Sequence, residues 1–314
     1  MAVRCVEAMC IALACMLLLI HVHSFTTKAP LAALLNQRLS VLMSVPNGRN
    51  QFVDVNSNKI CFDYFKSSTS STSIVYLPGL IREKTDPKSL NLQSWCKKSD
   101  FTFFCADYLG VGRSSGKFQD GSVSRWADDT IHLLESVVGA SPQQKVILVG
   151  HGVGAWISFV IAKKRADLVS GIIGMSADPD FTEELLWKKL SPEVKEKIMN
   201  DGLAEITWGT EKYLISRNLI EDGRKNLLLS GGSKSIKVKC PVRLIHGLSD
   251  EEVPFSLAMQ LIDSIESPDA SILLSKNSDH AMDTERDMRA VRSLIMDVLT
   301  AFKGDFDLRS PASG

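Results

Sequence analysis

The chain has 314 residues, of which 45% are hydrophobic and 23% are charged, a composition that predicts a globular protein with a sizeable core. Lys plus Arg and Asp plus Glu both number 36, so the formal net charge is zero, which argues against an electrostatic nucleic-acid partner. Three of the 7 cysteines fall within the first 15 residues, and the others lack the paired spacing of zinc ligands. Neither a metal site nor a disulfide scaffold is therefore predicted.

The first 50 residues predict a targeting segment rather than part of the fold. Residues 1–24 form a signal-like segment whose apolar run, at 8–20, is too short to predict a membrane span. Residues 25–50 contain Lys, Arg and hydroxyl side chains but no Asp or Glu, as organellar transit peptides do. Together they resemble the bipartite presequences of algae with secondary plastids. Mitochondrial and secretory addresses are alternatives, as is a membrane anchor, although no stable span is expected after processing.

The body of the chain, residues 51–303, alternates short apolar strands with helices. The predicted strands are 51–55, 60–65, 74–77, 101–106, 146–149, 172–175, 242–245 and 272–274, and the main helices are 89–98, 122–138 and 289–302. Strands that alternate with helices predict an α/β fold, with a mostly parallel sheet and helices on both faces. Residues 304–314 are predicted to form a flexible tail.

The alternation stops between residues 178 and 240. This insertion carries amphipathic helix candidates at 183–190, 192–199 and 208–226, together with bulky aromatic residues. Because sites in open α/β sheets lie at the carboxyl ends of strands, where such insertions project, we expect a small helical lid over that end. An ordinary helical subdomain without a role in binding is the alternative.

A glycine-rich turn, GHGVG at residues 150–154, follows the predicted strand at 146–149 and precedes an apolar run with helical character. Strand, turn and helix in this order form the setting of a nucleophile elbow, which has the sequence G-x-S-x-G. The serine of that pattern is missing here, because Gly152 takes its place. The other parts of a hydrolase site therefore decide what the turn means.

Two later loops carry side chains suited to acyl transfer. Asp250 follows the strand at 242–245, and His280 follows the strand at 272–274. The order of turn, acid and histidine is that of α/β-hydrolase triads, in which a buried carboxylate holds the imidazole in one tautomer. We therefore expect Asp250 and His280 to lie roughly 2.6–3.2 Å apart, with the imidazole facing the α-carbon of Gly152.

Acyl transfer also needs an oxyanion hole made of two main-chain N–H groups. The residue after the nucleophile position supplies one of them, here Val153. The loop after an earlier strand supplies the other, here Leu80 after Pro78-Gly79. Because main-chain donors survive a side-chain change, the hole is expected to persist without the serine.

Residues 59–299 resemble an α/β-hydrolase, and DYLGVGRS at 107–114 matches the D-x-x-G-x-G-x-S turn of that superfamily. Within the superfamily the chain is similar to the abhydrolase-ten type, at LPG (77–79), 104–114, 150–156, 246–254 and SDH (278–280). That family contains mitochondrial palmitoyl-protein thioesterases that also cleave acyl glucuronides. The resemblance implies serine acyl transfer on esters or thioesters, no cofactor and an organellar address. The chain departs from the family pattern at the nucleophile position, where Gly152 replaces the serine.

Removing the triad serine from a serine hydrolase costs about 10⁶ in rate and leaves roughly 10³–10⁴ over water. We therefore expect a homologue that binds an acyl ester, a thioester or an acylated protein but is inactive or feeble as a serine hydrolase. The alternative is an active hydrolase that uses another nucleophile, such as Ser176, or a water held by His280. A further alternative is that Gly152 is a sequence variant of an active serine protein. The sequence does not define an oligomeric state.

Overall fold

The computed structural model of the protein describes residues 45–208 and 211–307. The predicted signal-like segment, residues 25–44 of the predicted transit segment and residues 308–314 lie outside the described residues. Residues 48–50, which the prediction placed in the transit segment, form the start of the first strand. No helix in the described ranges is both long enough and apolar enough to cross a membrane.

Strands and helices alternate through most of the described chain. The strands are β1 (Gly48–Val55), β2 (Asn58–Phe65), β3 (Ser73–Leu77), β4 (Thr102–Ala106), β5 (Val146–His151), β6 (Val169–Met175), β7 (Leu203–Trp208), β8 (Glu211–Ser216), β9 (Val242–Gly247) and β10 (Ala270–Ser275). The α-helices are α1 (Pro87–Lys98), α2 (Val123–Leu133), α3 (Val153–Lys164), α4 (Pro192–Asp201), α5 (Arg217–Lys225), α6 (Phe255–Ser264) and α7 (Glu285–Asp307).

Eight of these strands form one sheet, in the order β1-β2-β4-β3-β5-β6-β9-β10. Every neighbouring pair from β4 to β10 is parallel, whereas β1 and β2 add an antiparallel edge. The predicted α/β fold with a mostly parallel sheet is confirmed. Because parallel strands are joined by crossovers, their carboxyl ends all lie at one edge, where the loops can meet.

The core is built around β5, which is buried along its whole length between β3 and β6. The following helix, α3, is buried over residues 153–162 and packs against the sheet. A strand covered on both faces needs apolar side chains on both, which explains why VILV shows no polar alternation. The turn between β5 and α3 is therefore held rigidly on both sides.

The insertion differs from its prediction over residues 208–226, which were expected to form one amphipathic helix. Instead, β7 and β8 form an antiparallel hairpin, and the short helix α5 follows it. Along β7 the buried residues Ala204 and Ile206 alternate with exposed ones, which is the period of a strand and not of a helix. The helix begins only after Ser216, whose side chain accepts the N–H of Leu219.

Two further predicted boundaries need correction. Residues 183–190 form two short helical turns, Thr182–Leu186 and Trp187–Lys189, and not one regular helix. At the other end of the chain α7 continues to Asp307, so residues 304–307 are helical and not part of a tail. A helix tolerates a glycine such as Gly304 at a cost of about 1 kcal/mol, so this glycine alone does not end it.

The start of α3 packs so closely against the end of β3 that residue 154 has no room for a side chain. A Cβ added at Gly154 would lie 2.5 Å from the Pro78 carbonyl oxygen and closer still to that of Leu77. Since backbone would have to move, we expect Gly154→Ala to lower the free energy of unfolding by about 3 kcal/mol. Chemical denaturation measures this. Gly48→Ala is the control, because its Cβ meets only the flexible Gln51 side chain, at 3.4 Å. Equal stabilities for the two variants would contradict this packing.

Candidate active site

Gly152 occupies the turn between β5 and α3, at the N-cap position of the helix. Its backbone angles, φ 54° and ψ −121°, lie where an L-residue is strained and glycine is not. The turn is fixed by main-chain hydrogen bonds from Gly152 N to Met175 O (3.0 Å) and from Ala155 N to Gly152 O (3.0 Å). A strained turn at the end of a central strand is the geometry that projects a side chain above a sheet of this kind.

Asp250 and His280 lie side by side at the carboxyl ends of neighbouring strands, β9 and β10. His280 Nδ1 is 3.0 Å from Asp250 Oδ2, so the predicted hydrogen bond is present. The other ring nitrogen faces the turn, because a Cβ added at Gly152 would lie 3.8 Å from His280 Nε2. A serine hydroxyl there, one bond farther out, could reach hydrogen-bond distance of this nitrogen.

The charges of this pair stabilise each other. Burial raises the pKa of Asp250, but the hydrogen bonds from His280 and from the Val253 N–H outweigh it and hold the pKa below its usual value. Burial also lowers the pKa of His280, but the hydrogen bond and charge of Asp250, with the charge of Glu252, raise it above its usual value overall. Asp250 is therefore ionised and acceptor-only, which orients the imidazole.

A second histidine, His246, also contacts the Asp250 carboxylate. His246 Nε2 lies 3.4 Å from Asp250 Oδ2 and donates to the Val253 carbonyl oxygen at 2.9 Å. Burial lowers the pKa of His246, so its ring is neutral and does not compete with His280 for the charge of the carboxylate. His246 was not among the predicted site residues, and its place near the end of the strand β9 explains its contact with the acid.

The loop that carries His280 is tied down through its main chain. His151 Nε2 donates to the His280 carbonyl oxygen at 2.9 Å, and Lys88 Nζ donates to the Ala281 carbonyl oxygen at 2.9 Å. Burial, together with the nearby charge of Lys88, holds the pKa of His151 well below its usual range, so this histidine is a neutral donor. These two hydrogen bonds orient the His280 loop, and the His151 ring also packs against the His280 imidazole, with ring centroids 5.0 Å apart.

Val153 and Leu80, the predicted amide donors, both line the space above Gly152. Val153 is the first residue of α3, and the N–H groups of a first helical turn have no acceptor within the helix. The segment after Leu80 is anchored by Asp107, whose carboxylate accepts the N–H groups of Lys84 (2.7 Å) and Arg113 (3.0 Å). The D-x-x-G-x-G-x-S turn thus holds the loop that carries Leu80.

These residues line one cleft, and part of the insertion forms its wall. The lining residues are Gly79, Leu80, Arg82, His151, Gly152, Val153, Asp178, Phe181, Leu186, Ile206, Tyr213, Ile215, Glu252, Val253 and His280. Apolar side chains of the insertion therefore face the turn, which suits an acyl chain. Ser176, considered above as another nucleophile, is 0% exposed and is not among these residues. Within the described ranges, His, Cys, Asp and Glu side chains form no group that could hold a metal ion.

Asp178, an ionisable residue of the cleft lining, was not among the predicted site residues. It comes three residues after β6, at the same edge of the sheet, and its N–H lies 3.3 Å from the Gly152 carbonyl oxygen. Burial, opposed by the charge of His280 and reinforced by the charges of Asp250 and Glu252, raises the pKa of Asp178 to about 7. Its position directly after a buried strand was the available signal, but it falls within the segment assigned to the lid.

Comparison with known proteins agrees with this architecture. A family model described as serine aminopeptidase, S33, matches residues 82–220. The chain is 30% identical over 239 residues to palmitoyl-protein thioesterase ABHD10, mitochondrial, of Bos taurus, covering 75% of this chain and 76% of that protein. The Homo sapiens protein of the same name is 28% identical over the same length. The solved structure of mouse alpha/beta hydrolase domain-containing protein 10 gives a TM-score of 0.69 at 26% identity, covering 80% of this chain and 98% of that chain.

The mostly parallel sheet, the turn after its central strand and these matches define the chain as an α/β-hydrolase. Within that class, it belongs to the family of the ABHD10 palmitoyl-protein thioesterases.

Proposed function

We propose that this protein binds acyl esters or thioesters in the cleft above Gly152 and is inactive or feeble as a serine hydrolase. The observation that carries the proposal is the Asp250–His280 pair, whose free imidazole nitrogen faces a residue without a side chain. In this reading Gly152 occupies the nucleophile position, and Val153 and Leu80 supply the oxyanion hole. An acylated protein or a small acyl compound would be the ligand.

The cleft supports acyl binding for two reasons. Its wall carries Phe181, Leu186, Ile206 and Ile215, which offer an apolar surface for a hydrocarbon chain. Its floor carries amide donors and an imidazole beside Gly152, which suit a polarised carbonyl group. The names of the relatives, palmitoyl-protein thioesterases, point to the same ligand chemistry.

The missing hydroxyl limits what this arrangement can do by acyl-enzyme chemistry. Gly152 has no oxygen that could attack a carbonyl, and Ser176 lies outside the described cleft lining. Without the serine, about 10³–10⁴ over the uncatalysed rate is all that the oxyanion hole and binding can supply. The competing candidate is an active ester or thioester hydrolase that uses an activated water, and the raised pKa of the cleft residue Asp178 favours it.

The relatives carry the word mitochondrial in their names, and this supports a mitochondrial location for the present chain. The basic, acid-free segment at residues 25–50 is consistent with that address. A plastid or the secretory pathway would be reached by the same two-part presequence. Fluorescence microscopy of the full chain with a C-terminal tag, in cells with both organelles, separates these addresses.

We expect a non-hydrolysable thioether analogue of an acyl thioester to bind in the cleft with micromolar affinity or better. Isothermal titration calorimetry measures this directly. Ile206→Arg should weaken binding by at least tenfold, because it places a charge against the acyl chain on the buried side of β7. Thr207→Arg, on the exposed side of the same strand, is the matched control and should bind as the unaltered chain does.

Absence of binding, or equal affinity for both arginine variants, would refute the proposed acyl cleft. Thermal melts of both variants show whether they are folded. Only for folded variants does a loss of affinity result from a change in the cleft.

A further inference from the structure

Asp178 differs from the other buried aspartates of the described chain. Asp180, two residues later, has both carboxylate oxygens satisfied by the N–H groups of Leu228 (2.7 Å) and Leu229 (2.9 Å). Asp107 is held in the same way by two N–H groups, and Asp63 lies 3.1 Å from the buried ammonium of Lys84. These carboxylates have evident structural roles.

Asp178 Oδ1 is buried and has no hydrogen-bond partner among the described residues. A buried carboxyl without a partner is unfavourable for folding, so its presence points to a role in the site. The residue is 9% exposed and lines the same cleft as Gly152, Val153 and His280. Its main chain is also linked to that of Gly152. The carboxyl-bearing residue therefore belongs to the lining of the cleft above Gly152.

The space above Gly152 offers a place for a water molecule. The nearest atoms to a Cβ built there are His280 Nε2 at 3.8 Å and Gly79 Cα at 3.9 Å, which are ordinary van der Waals distances. A water needs two or more polar partners to be held in a cavity. The polar groups of the cleft lining are the main-chain N–H groups and the side chains of Arg82, His151, Asp178, Tyr213, Glu252 and His280.

We propose that Asp178 is the general base of a serine-independent hydrolysis, acting on a water molecule held above Gly152. This inference rests on the proposed acyl cleft and adds a reaction to it. Asp250 and His280 then act in a different role from that in a serine hydrolase, since no hydroxyl has to be deprotonated.

The step balances without a cofactor. The water O–H bond breaks, its proton passes to the Asp178 carboxylate, and the oxygen forms a bond to the acyl carbon. The carbonyl electron pair moves onto its oxygen, which the Val153 and Leu80 N–H groups stabilise. When the carbonyl re-forms, the carbon–sulfur or carbon–oxygen bond breaks, and the leaving thiolate or alkoxide takes a proton from the His280 imidazolium. Proton transfer through solvent from Asp178 to His280 restores both groups.

The two proton-transfer roles can be separated by the leaving group. A thiophenol is acidic enough to leave without protonation, whereas an alkyl thiol needs an acid. For the S-phenyl thioester of octanoic acid, Asp178→Asn should lower kcat by at least tenfold. His280→Ala should lower kcat much less, so that the logarithm of its fold-loss is less than half of that for Asp178→Asn. For S-ethyl octanoyl thioester, both variants should lose at least tenfold, since general acid–base catalysis contributes about 10²–10⁴.

The matched measurements use the full chain and include three checks. Asp54→Asn, on the exposed face of β1 and away from the cleft, should keep the parent rate. Added formate should partly restore the Asp178→Ala variant, because a small carboxylate can enter the space left by the side chain. Pretreatment with a fluorophosphonate should leave the activity of the unaltered chain unchanged, which also excludes a contaminating serine hydrolase.

The inference is overturned if Asp178→Asn cleaves both thioesters at the parent rate, or if the unaltered chain cleaves neither above the buffer rate. Neither result refutes the proposed acyl cleft, because that proposal is tested separately by binding of the thioether analogue. If the analogue does not bind, the proposed function fails first. If Asp178→Asn still binds the analogue, its lower kcat does not result from unfolding.

Discussion

Gly152→Ser should convert this chain into a protein that a fluorophosphonate probe labels, whereas the unaltered chain should remain unlabelled. The built Cβ makes only ordinary van der Waals contacts, and His280 Nε2 lies within reach of the added hydroxyl as its base. Given the Asp250–His280 hydrogen bond of 3.0 Å, we expect labelling and ester hydrolysis to rise by about 10² or more. Gel fluorescence after probe treatment and a kinetic assay with an octanoyl thioester measure the two gains.

The control for this variant removes the base and keeps the new nucleophile. Gly152→Ser combined with His280→Ala should stay unlabelled, because an unassisted serine is a weak nucleophile at neutral pH. The serine faces a backbone strain of about 1–2 kcal/mol at positive φ, so a small loss of stability is expected alongside the gain. A folded but silent Gly152→Ser protein would show that the surroundings of the turn no longer support acyl transfer.

Asp178→Asn should stabilise the protein at pH 8 relative to the unaltered chain, and the advantage should shrink at pH 5. Burial raises the pKa of Asp178 from 3.8 to about 7, so the folded state holds this proton more tightly than the unfolded state does. Stability contributed by the proton is present below the unfolded pKa and is lost as the pH rises toward 7. A change of this size corresponds to about 3 kcal/mol between pH 5 and pH 8.

Urea titrations of both proteins at the two pH values measure this difference. Asp180→Asn serves as a contrast, because it removes a carboxylate whose two oxygens accept main-chain N–H groups and should therefore destabilise the fold at both pH values. If the difference in free energy of unfolding between Asp178→Asn and the unaltered protein is the same at pH 5 and pH 8, the Asp178 carboxyl is ionised in the folded protein at pH 5 as well.

Much of the fold was predictable because its central strands are short, apolar and bounded by clear turns. The run at 146–149 needs no tertiary information to be read as a buried strand, and the loops carrying Asp250 and His280 follow from strands of the same kind. That these two loops meet depends on β9 and β10 being neighbours. The order of turn, acid and histidine along the chain, which is that of hydrolase triads, predicts this meeting without knowledge of the strand order.

The insertion was harder to predict because its elements are short and amphipathic. Residues 203–207 alternate between exposed and buried side chains, but the tyrosine, leucine and isoleucine of β8 do not, so this segment also fits a helical pattern. Asp178 could not be distinguished from a solvated loop aspartate by sequence, since its burial comes from the packing of the insertion over the sheet. The contact between His151 and the His280 carbonyl likewise joins residues 129 positions apart.

Asp250 has a second task that has nothing to do with acyl transfer, because its Oδ1 accepts the N–H groups of Glu252 (3.0 Å) and Val253 (2.8 Å). Because Val253 is buried, substituting Asp250 would leave the Val253 N–H unsatisfied at a cost of about 1–3 kcal/mol. Folding alone therefore favours a carboxylate at residue 250, whether or not the cleft catalyses a reaction.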